Sequence, residues 1–178
     1  MKILCIGDSH TAGFPLYDPI YGGNPESSYE YWLSNLLIEQ FFSFSFSLDN
    51  KGICGQTTKE INQRLKQFLR QKRYNLVIYW GGANDIAIGY TSNVIWRNIE
   101  KAFEFTRKIS VKCIIVTIPP MNLAGISEIV IDVNLKIKRS NRSPDAYIIA
   151  DVYEVLEKQG NLNPLCDAGD GVHLSIEG

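Results

Sequence analysis

Ser9 is the first residue of the chain whose position suggests chemistry. It follows Gly7 and Asp8, which come directly after the apolar residues 3–6 of an expected opening strand. In open α/β sheets, ligands bind beyond the carboxyl ends of the strands, where the turn into a helix also offers backbone N–H groups to an anion. A serine hydroxyl at this point can act as a nucleophile if a base activates it and if hydrogen-bond donors stabilise the oxyanion.

The base for this serine must come from the two histidines of the chain, His10 and His173. His10 adjoins Ser9, which directs its side chain away from the hydroxyl, so His173 is the better candidate. Asp170 precedes His173 by three residues, and residues three apart on a helical turn or tight loop can face each other. A carboxylate there can accept the Nδ1 proton while Nε2 faces the serine, as a Ser-His-Asp triad requires.

Two segments that follow later apolar runs could supply donors for the oxyanion. Gly55 lies in residues 52–57, where a glycine lets the backbone turn sharply and brings an N–H close to a ligand. Asn84 follows the apolar run 75–80, and its side-chain amide can donate to a developing negative oxygen. Three strand ends would then converge on one point.

Four segments resemble, in order and spacing, the sequence blocks of the SGNH/GDSL hydrolase family: residues 7–9, Gly55, residues 82–85 and residues 170–173. One block alone is a weak match, but four in the right order are specific. The resemblance implies a flavodoxin-like three-layer α/β/α domain. It also implies esterase, lipase, thioesterase or carbohydrate-deacetylase activity on a small-molecule ester, with no metal or other cofactor.

The resemblance also assigns roles to individual residues. It implies that Ser9 attacks the ester, that His173 is general base and then general acid, and that Asp170 orients the imidazole. The oxyanion hole would consist of the N–H groups of Ser9 and Gly55 and the side chain of Asn84. Family members usually continue past the histidine into a C-terminal helix. We therefore expect a single domain over residues 1–178 that lacks this helix and holds its histidine less firmly.

Each of these residues also has a structural interpretation. Ser9 could cap the helix that follows the strand, and Gly55 and Asn84 could be turn residues. Asp170 and His173 could form a pair on a surface loop. Asp85 could cap the next helix, and His10 is expected to be solvated or structural. The case for catalysis therefore depends on these segments meeting in space.

Two other protein classes share part of this pattern. An α/β-hydrolase carries the motif G-x-S-x-G, but residues 7–11 lack the final glycine and the acid lies only three residues before the histidine. A flavodoxin-like module could bind a phosphate-bearing ligand through residues 7–13, but it gives Asp170 and His173 no function. A catalytically impaired relative is the third alternative.

Composition narrows the function classes further. The chain has 178 residues, of which 45% are hydrophobic and 21% charged, as in an ordinary soluble domain. Its net charge of −1 gives no electrostatic reason to expect nucleic acid or an anionic membrane as partner. The four apolar residues before Gly7 are too few for a signal peptide or a membrane span. We expect a cytoplasmic protein, with a secreted origin and the oligomeric state left open.

The cysteines give no indication of a metal site. The chain has four cysteines, with no C-x-x-C spacing and no cluster with histidine. Cys5 and Cys113 lie in apolar runs and are expected to be buried thiols. A structural role is also expected for Cys54 and Cys166, because neither has an evident electropositive setting.

The remaining pattern predicts the elements that position these residues. Residues 42–48 alternate apolar and polar side chains, which predicts an edge strand. Residues 76–80 and 113–118 are nearly continuous apolar runs, as in buried parallel strands, and residues 146–150 are a fifth candidate. Together with residues 3–6, they suit a five-stranded parallel sheet of the flavodoxin-like order 2-1-3-4-5.

Helical patterns alternate with these strands. The first two are predicted to begin at Ser27 or Ser28 and at Thr57 or Thr58, with apolar faces of Trp32, Leu33, Leu36 and Leu37, and of Ile61, Leu65, Phe68 and Leu69. A third pattern contains Ile95, Ile99, Ala102, Phe103 and Ile109, and a fourth covers residues 127–138. The long loop 13–26 and the loop 119–123 are expected to border the site, although simple packing of the first onto the surface is equally compatible.

Overall fold

A five-stranded parallel sheet forms the centre of the computed structural model, which describes residues 1–140 and 147–178. Its strands are β1 (Lys2–Gly7), β2 (Ser47–Gly52), β3 (Leu76–Trp80), β4 (Lys112–Val116) and β5 (Ile148–Ala150). They lie in the order β2-β1-β3-β4-β5, and all neighbours are parallel. Counted within this sheet, the order is 2-1-3-4-5, and the predicted fold class is confirmed.

The helices lie on both faces of the sheet. They are α1 (Ser9–Ala12), α2 (Tyr29–Gln40), α3 (Thr58–Gln71), α4 (Ala83–Ala87), α5 (Ser92–Lys108), α6 (Ser127–Ser140) and α7 (Val152–Leu156), with a 3-10 turn at Pro25–Ser27. Two-residue strands pair as small hairpins, Tyr17–Asp18 with Gly22–Gly23 and Glu157–Lys158 with Asn161–Leu162. Within the described ranges, 1–140 and 147–178, none of these helices has both the length and the apolar character that crossing a membrane requires.

Successive side chains of the buried strands point to opposite faces of the sheet, so each face has its own apolar core. Leu4 and Ile6 of β1 face one side, where they pack in a cluster with the apolar residues of α3, α5 and α6. Ile3 and Cys5 face the other side, where α2 supplies partly buried leucines. Because both faces of β1 are covered, its residues 3–6 are apolar without a break, as expected for a parallel strand between helical layers.

The predicted edge strand was placed too early in the chain. An edge strand is present, but it is Ser47–Gly52 rather than residues 42–48. Phe42 and Phe44 are 91% and 67% exposed and belong to the turn after α2. The period-two pattern was therefore misleading, because the register of β2 is set by its pairing with β1 rather than by an apolar face.

Smaller corrections concern where elements end and which side chains they bury. β4 ends at Val116, so residues 117–118 lie outside it, and Ala146 lies outside the described residues. Trp32 and Leu36 are half exposed rather than buried on α2, and Ile109 follows the end of α5 as an exposed residue. The predicted helix starts at Ser28 and Thr57 are confirmed, since these residues precede α2 and α3 directly.

Candidate active site

Ser9 is the first residue of the single-turn helix α1, which follows β1 after a tight turn at Asp8. The Asp8 carboxylate accepts a hydrogen bond from the N–H of His10 and so caps the helix. A Cβ atom on Gly7 would lie 2.1 Å from the Thr11 hydroxyl and 2.2 Å from the Trp80 carbonyl oxygen. Only glycine fits there, and this close approach holds the serine at the carboxyl end of β1.

The structure brings Ser9, His173 and Asp170 into one hydrogen-bonded line. His173 Nε2 lies 2.9 Å from the Ser9 hydroxyl oxygen, and its Nδ1 lies 2.6 Å from Asp170 Oδ2. The second carboxylate oxygen, Asp170 Oδ1, accepts the backbone N–H groups of Val172 at 2.9 Å and of His173 at 2.8 Å. Asp170 therefore orients both the ring and the backbone of the histidine.

Asp170 is held in its ionised form. Partial burial raises the pKa of this carboxyl, but the hydrogen bonds from the His173 backbone and ring and from the Val172 backbone outweigh burial and lower the pKa to about 2. An ionised Asp170 accepts a hydrogen bond from His173 Nδ1–H, so the proton of the neutral ring stays on Nδ1. This leaves Nε2 without a proton and able to receive one from the Ser9 hydroxyl.

The loop that carries the histidine is anchored on both sides. The His173 carbonyl accepts the N–H of Ala168 at 2.9 Å, and Ser175 donates its N–H to the Cys166 carbonyl at 2.8 Å. Asn122, in the predicted bordering loop 119–123, donates its N–H to the Gly171 carbonyl at 2.7 Å. These bonds fix the backbone on both sides of the histidine.

The two segments predicted to carry oxyanion donors also meet. Gly55 lies between β2 and α3 with φ of +79° and open space where a Cβ atom would stand. Asn84, in the short helix α4, donates its side-chain amide to the Gln56 carbonyl at 3.1 Å. A primary amide has two N–H donors, so a second one is left for a ligand. The bond to Gln56 fixes the direction of that amide beside Gly55.

Arg64 of α3 connects these loops through hydrogen bonds of its side chain. The sequence did not predict this role. Its guanidinium donates to the Gly7 carbonyl at 2.9 Å, to the Lys51 carbonyl at 2.6 Å and to the Gln56 side chain at 2.6 Å. It thus ties together the ends of β1 and β2 and the segment beside Gly55. No local pattern reveals it, because an arginine on an amphipathic helix is usually a solvated residue.

Asp85 has a structural role, but not as a cap of the helix that follows it. It is fully buried inside α4 and accepts the N–H of Thr58 at 2.7 Å and the Thr58 hydroxyl at 2.5 Å. Burial raises the pKa of the Asp85 carboxyl, although the bonds from Thr58 partly oppose this rise. The residue therefore joins α4 to the first turn of α3.

Aromatic and apolar side chains lie beside the triad. Phe14, in the predicted bordering loop 13–26, lies edge-on against the His173 ring with centroids 4.6 Å apart. Phe14 also lines an apolar cavity of about 800 Å³ on the α2 face of the sheet, together with Trp80 and Leu174. Ser9, Gly55 and Asn84 are not among the residues that line it. The cavity therefore adjoins the site on the side of His10 and Phe14.

Several solved structures share this fold. A member of the lipolytic protein G-D-S-L family from Veillonella parvula DSM 2008 superposes with a TM-score of 0.78 at 20% identity, covering 99% of this chain and 91% of that one. TesA matches with a TM-score of 0.78 at 18% identity over 99% and 91% of the two chains. AlinE4, an SGNH-hydrolase family esterase, matches with a TM-score of 0.75 at 20% identity over 99% and 87%. At these identities, the matches establish the fold.

Sequence comparison establishes the family. No curated protein matches the chain. The model of the GDSL-like lipase/acylhydrolase family, however, matches residues 5–178, which include every block recognised in the sequence. The chain therefore belongs to the GDSL-like lipase/acylhydrolase family.

Proposed function

We propose that this protein is a serine hydrolase that cleaves carboxylic esters through an acyl-enzyme on Ser9. The observation that carries the proposal is the line from the Ser9 hydroxyl to His173 Nε2 at 2.9 Å and from His173 Nδ1 to Asp170 at 2.6 Å. A nucleophile, a base and a group that orients the base are the parts that activate a serine. Family membership supports ester hydrolysis, and the esterase AlinE4 has the same fold.

The proposed reaction has two halves. His173 Nε2 takes the Ser9 proton as the serine oxygen attacks the ester carbonyl, and the carbonyl oxygen becomes an oxyanion. The N–H groups of Ser9 and Gly55 and the amide of Asn84 stabilise that charge. His173 then protonates the leaving alcohol, which gives the acyl-enzyme. In the second half, His173 takes a proton from water, the hydroxide attacks the acyl group, and the proton returns to Ser9 as the acid leaves.

Labelling with a serine-directed phosphonate tests the nucleophile directly. We expect mass spectrometry to find one phosphonyl group on the peptide that contains Ser9, because only an activated serine displaces the leaving group of the reagent. A His173→Ala variant that melts like the parent should remain unlabelled. Labelling of another residue, or of none, would mean that the chain is a binding module or an impaired relative.

Replacing Asn84 by Ala tests the oxyanion hole. We expect kcat for a short ester to fall by about 10²–10³-fold, which is the usual effect of losing one such donor. The matched control is Asn93→Ala at an exposed position near the start of α5, which should leave kcat unchanged. If Asn84→Ala and Asn93→Ala hydrolyse the ester equally fast, the amide does not serve the transition state.

The pH profile tests the base. His173 accepts the Ser9 proton only when it is neutral, so kcat/KM for a short p-nitrophenyl ester should rise with a single-proton step between about pH 5 and pH 8. The Asp170 pKa of about 2 lies below this range, so the carboxylate adds no step of its own. Because that pKa is lowered by folding, Asp170 loses its stabilising effect only at more acidic pH. A flat profile would argue against a histidine base.

A further inference from the structure

His10 is the one histidine that the proposed reaction does not use, and it is buried against the site. Its residue is 6% exposed and belongs to α1, next to Ser9. The imidazole lies between two other rings, with centroids 5.2 Å from Trp80 and 5.6 Å from His173. A buried imidazole must satisfy both of its nitrogens, so its partners determine its protonation state.

Both partners of His10 are acceptors. Nε2 lies 3.0 Å from the Val172 carbonyl oxygen, and Nδ1 lies 3.3 Å from Asp8 Oδ1. A carbonyl and an ionised carboxylate cannot donate, and a neutral imidazole carries only one N–H. A neutral His10 would therefore place a lone pair against one of these oxygens. Only the imidazolium, with two N–H groups, donates to both.

The surrounding charges favour that cation. Asp8 is 1% exposed, and its Oδ2 has no hydrogen-bond partner within residues 1–140 and 147–178. A buried carboxylate requires a compensating positive charge. Burial lowers the pKa of His10, but Asp8, the Val172 carbonyl and Asp170 outweigh burial and raise it. His173 faces it across the site, and the acidic groups of the adjoining cavity are Glu26, Asp151 and Glu177.

The bond from His10 reaches the peptide group that precedes the candidate base. The Val172–His173 peptide group is held at both ends, because its carbonyl oxygen, that of Val172, accepts from His10 and its N–H, that of His173, donates to Asp170. His173 is the next residue, and its ring must stay within hydrogen-bond distance of Ser9. Because Ser9 and His10 share α1, a bond from His10 to Val172 links the turn of the nucleophile directly to the loop of the base.

We propose that His10 is a positioning residue, an imidazolium paired with Asp8 that fixes the Val172 carbonyl and thereby holds His173 against Ser9. The kinetic part of this inference rests on the proposed ester hydrolysis, whereas the charge state of His10 does not. A misplacement of about 1 Å between reacting groups can cost about 10²-fold in rate. Loss of the hydrogen bond from His10 to Val172 should lower the rate by up to about this factor.

The charge state can be measured without any substrate. The chain has only two histidines, so a ¹⁵N spectrum of the imidazoles contains two spin systems, and His10→Gln identifies the one that disappears. We expect His10 to show two protonated ring nitrogens at neutral pH. Since folding raises the pKa of His10, the second proton should leave at a higher pH in the folded protein than in the unfolded chain. A neutral His10 with a single N–H at neutral pH would overturn the proposal.

Two variants separate positioning from simple packing. His10→Leu keeps an apolar body but has no donor, whereas His10→Gln can place an amide N–H near the position of Nε2. For a short ester, we expect His10→Leu to lower kcat by about 10–100-fold with KM within about threefold, and His10→Gln to recover most of that loss. A packing role alone would lower the melting temperature of both variants without a difference in kcat between them.

The outcomes distinguish this inference from the proposed function. If Ser9 of the parent protein is not labelled by the phosphonate, the proposed function fails, and the ¹⁵N spectrum still decides the state of His10. If the parent is labelled and His10→Leu, folded at the assay temperature, is labelled as fast as the parent, the positioning role is wrong. Slower labelling of His10→Leu than of His10→Gln is the expected result.

Discussion

Ser9→Ala is expected to reduce kcat for a short ester by roughly 10⁶-fold, because loss of any one triad residue removes most of the catalysis by the triad. The remaining activity would come from the other groups of the site. The hydroxyl that is removed is the atom that lies 2.9 Å from His173 Nε2. The methyl group of alanine fits the same turn. The free energy of unfolding should therefore change by no more than about 1 kcal/mol, the net worth of one hydrogen bond.

The measurement combines steady-state hydrolysis with urea denaturation of each variant. Ser43→Ala is the matched control, because it removes a hydroxyl from an exposed position in the turn after α2. It should retain the activity of the parent. Hydrolysis by Ser9→Ala at the rate of Ser43→Ala would show that the ester is cleaved without this nucleophile.

Asp170→Asn is expected to give the second largest effect, a fall in kcat of about 10²–10⁴-fold. The asparagine amide can turn its NH₂ group toward Nδ1 and so favour the tautomer with the proton on Nε2, which cannot accept the Ser9 proton. The Asp170 side chain is 48% exposed, so water can replace part of the lost acceptor. For this reason, the lower limit of the expected loss of kcat is smaller than the loss expected for a fully buried triad carboxylate.

Asp167→Asn is the matched control for that variant. Asp167 lies in the same loop and accepts the N–H groups of Gly169 at 2.7 Å and Gly171 at 3.0 Å, but it does not contact the imidazole. We expect it to lower the melting temperature while kcat falls by less than about tenfold. Equal kcat values for the two variants would assign Asp170 to the loop rather than to the reaction. Thermal melting followed by ester hydrolysis distinguishes these results.

The sequence predicted those parts that local chemistry determines. Residues 76–80 form a buried central strand because an unbroken apolar run fits a sheet covered on both faces. The spacing of Asp170 and His173 predicted a contact because a tight loop of three residues can bring a carboxylate to Nδ1, and the structure brings them to 2.6 Å. Both inferences needed only neighbours along the chain.

The parts that were not predicted depend on distant partners. The function of Arg64 is set by the carbonyls of Gly7 and Lys51, which reach it only after β1 and β2 have paired. His10 was expected to be solvated or structural, and it is buried; its bond to Val172 could not be predicted because the two residues lie 162 positions apart. The prediction of an edge strand over residues 42–48 was wrong because the position of β2 depends on its pairing with β1 and not on alternation within its own sequence.

The hydrogen bond between Ser9 and His173 joins residues 164 positions apart and therefore encloses nearly the whole chain. The pair cannot form until the central strands and the late loop have all assembled, since contacts of such large sequence separation carry the full entropy of loop closure. Recovery of ester hydrolysis is thus a more stringent test of complete refolding than recovery of the helix content. A molecule in which only the His173 loop has opened would keep its circular dichroism spectrum and lose its turnover.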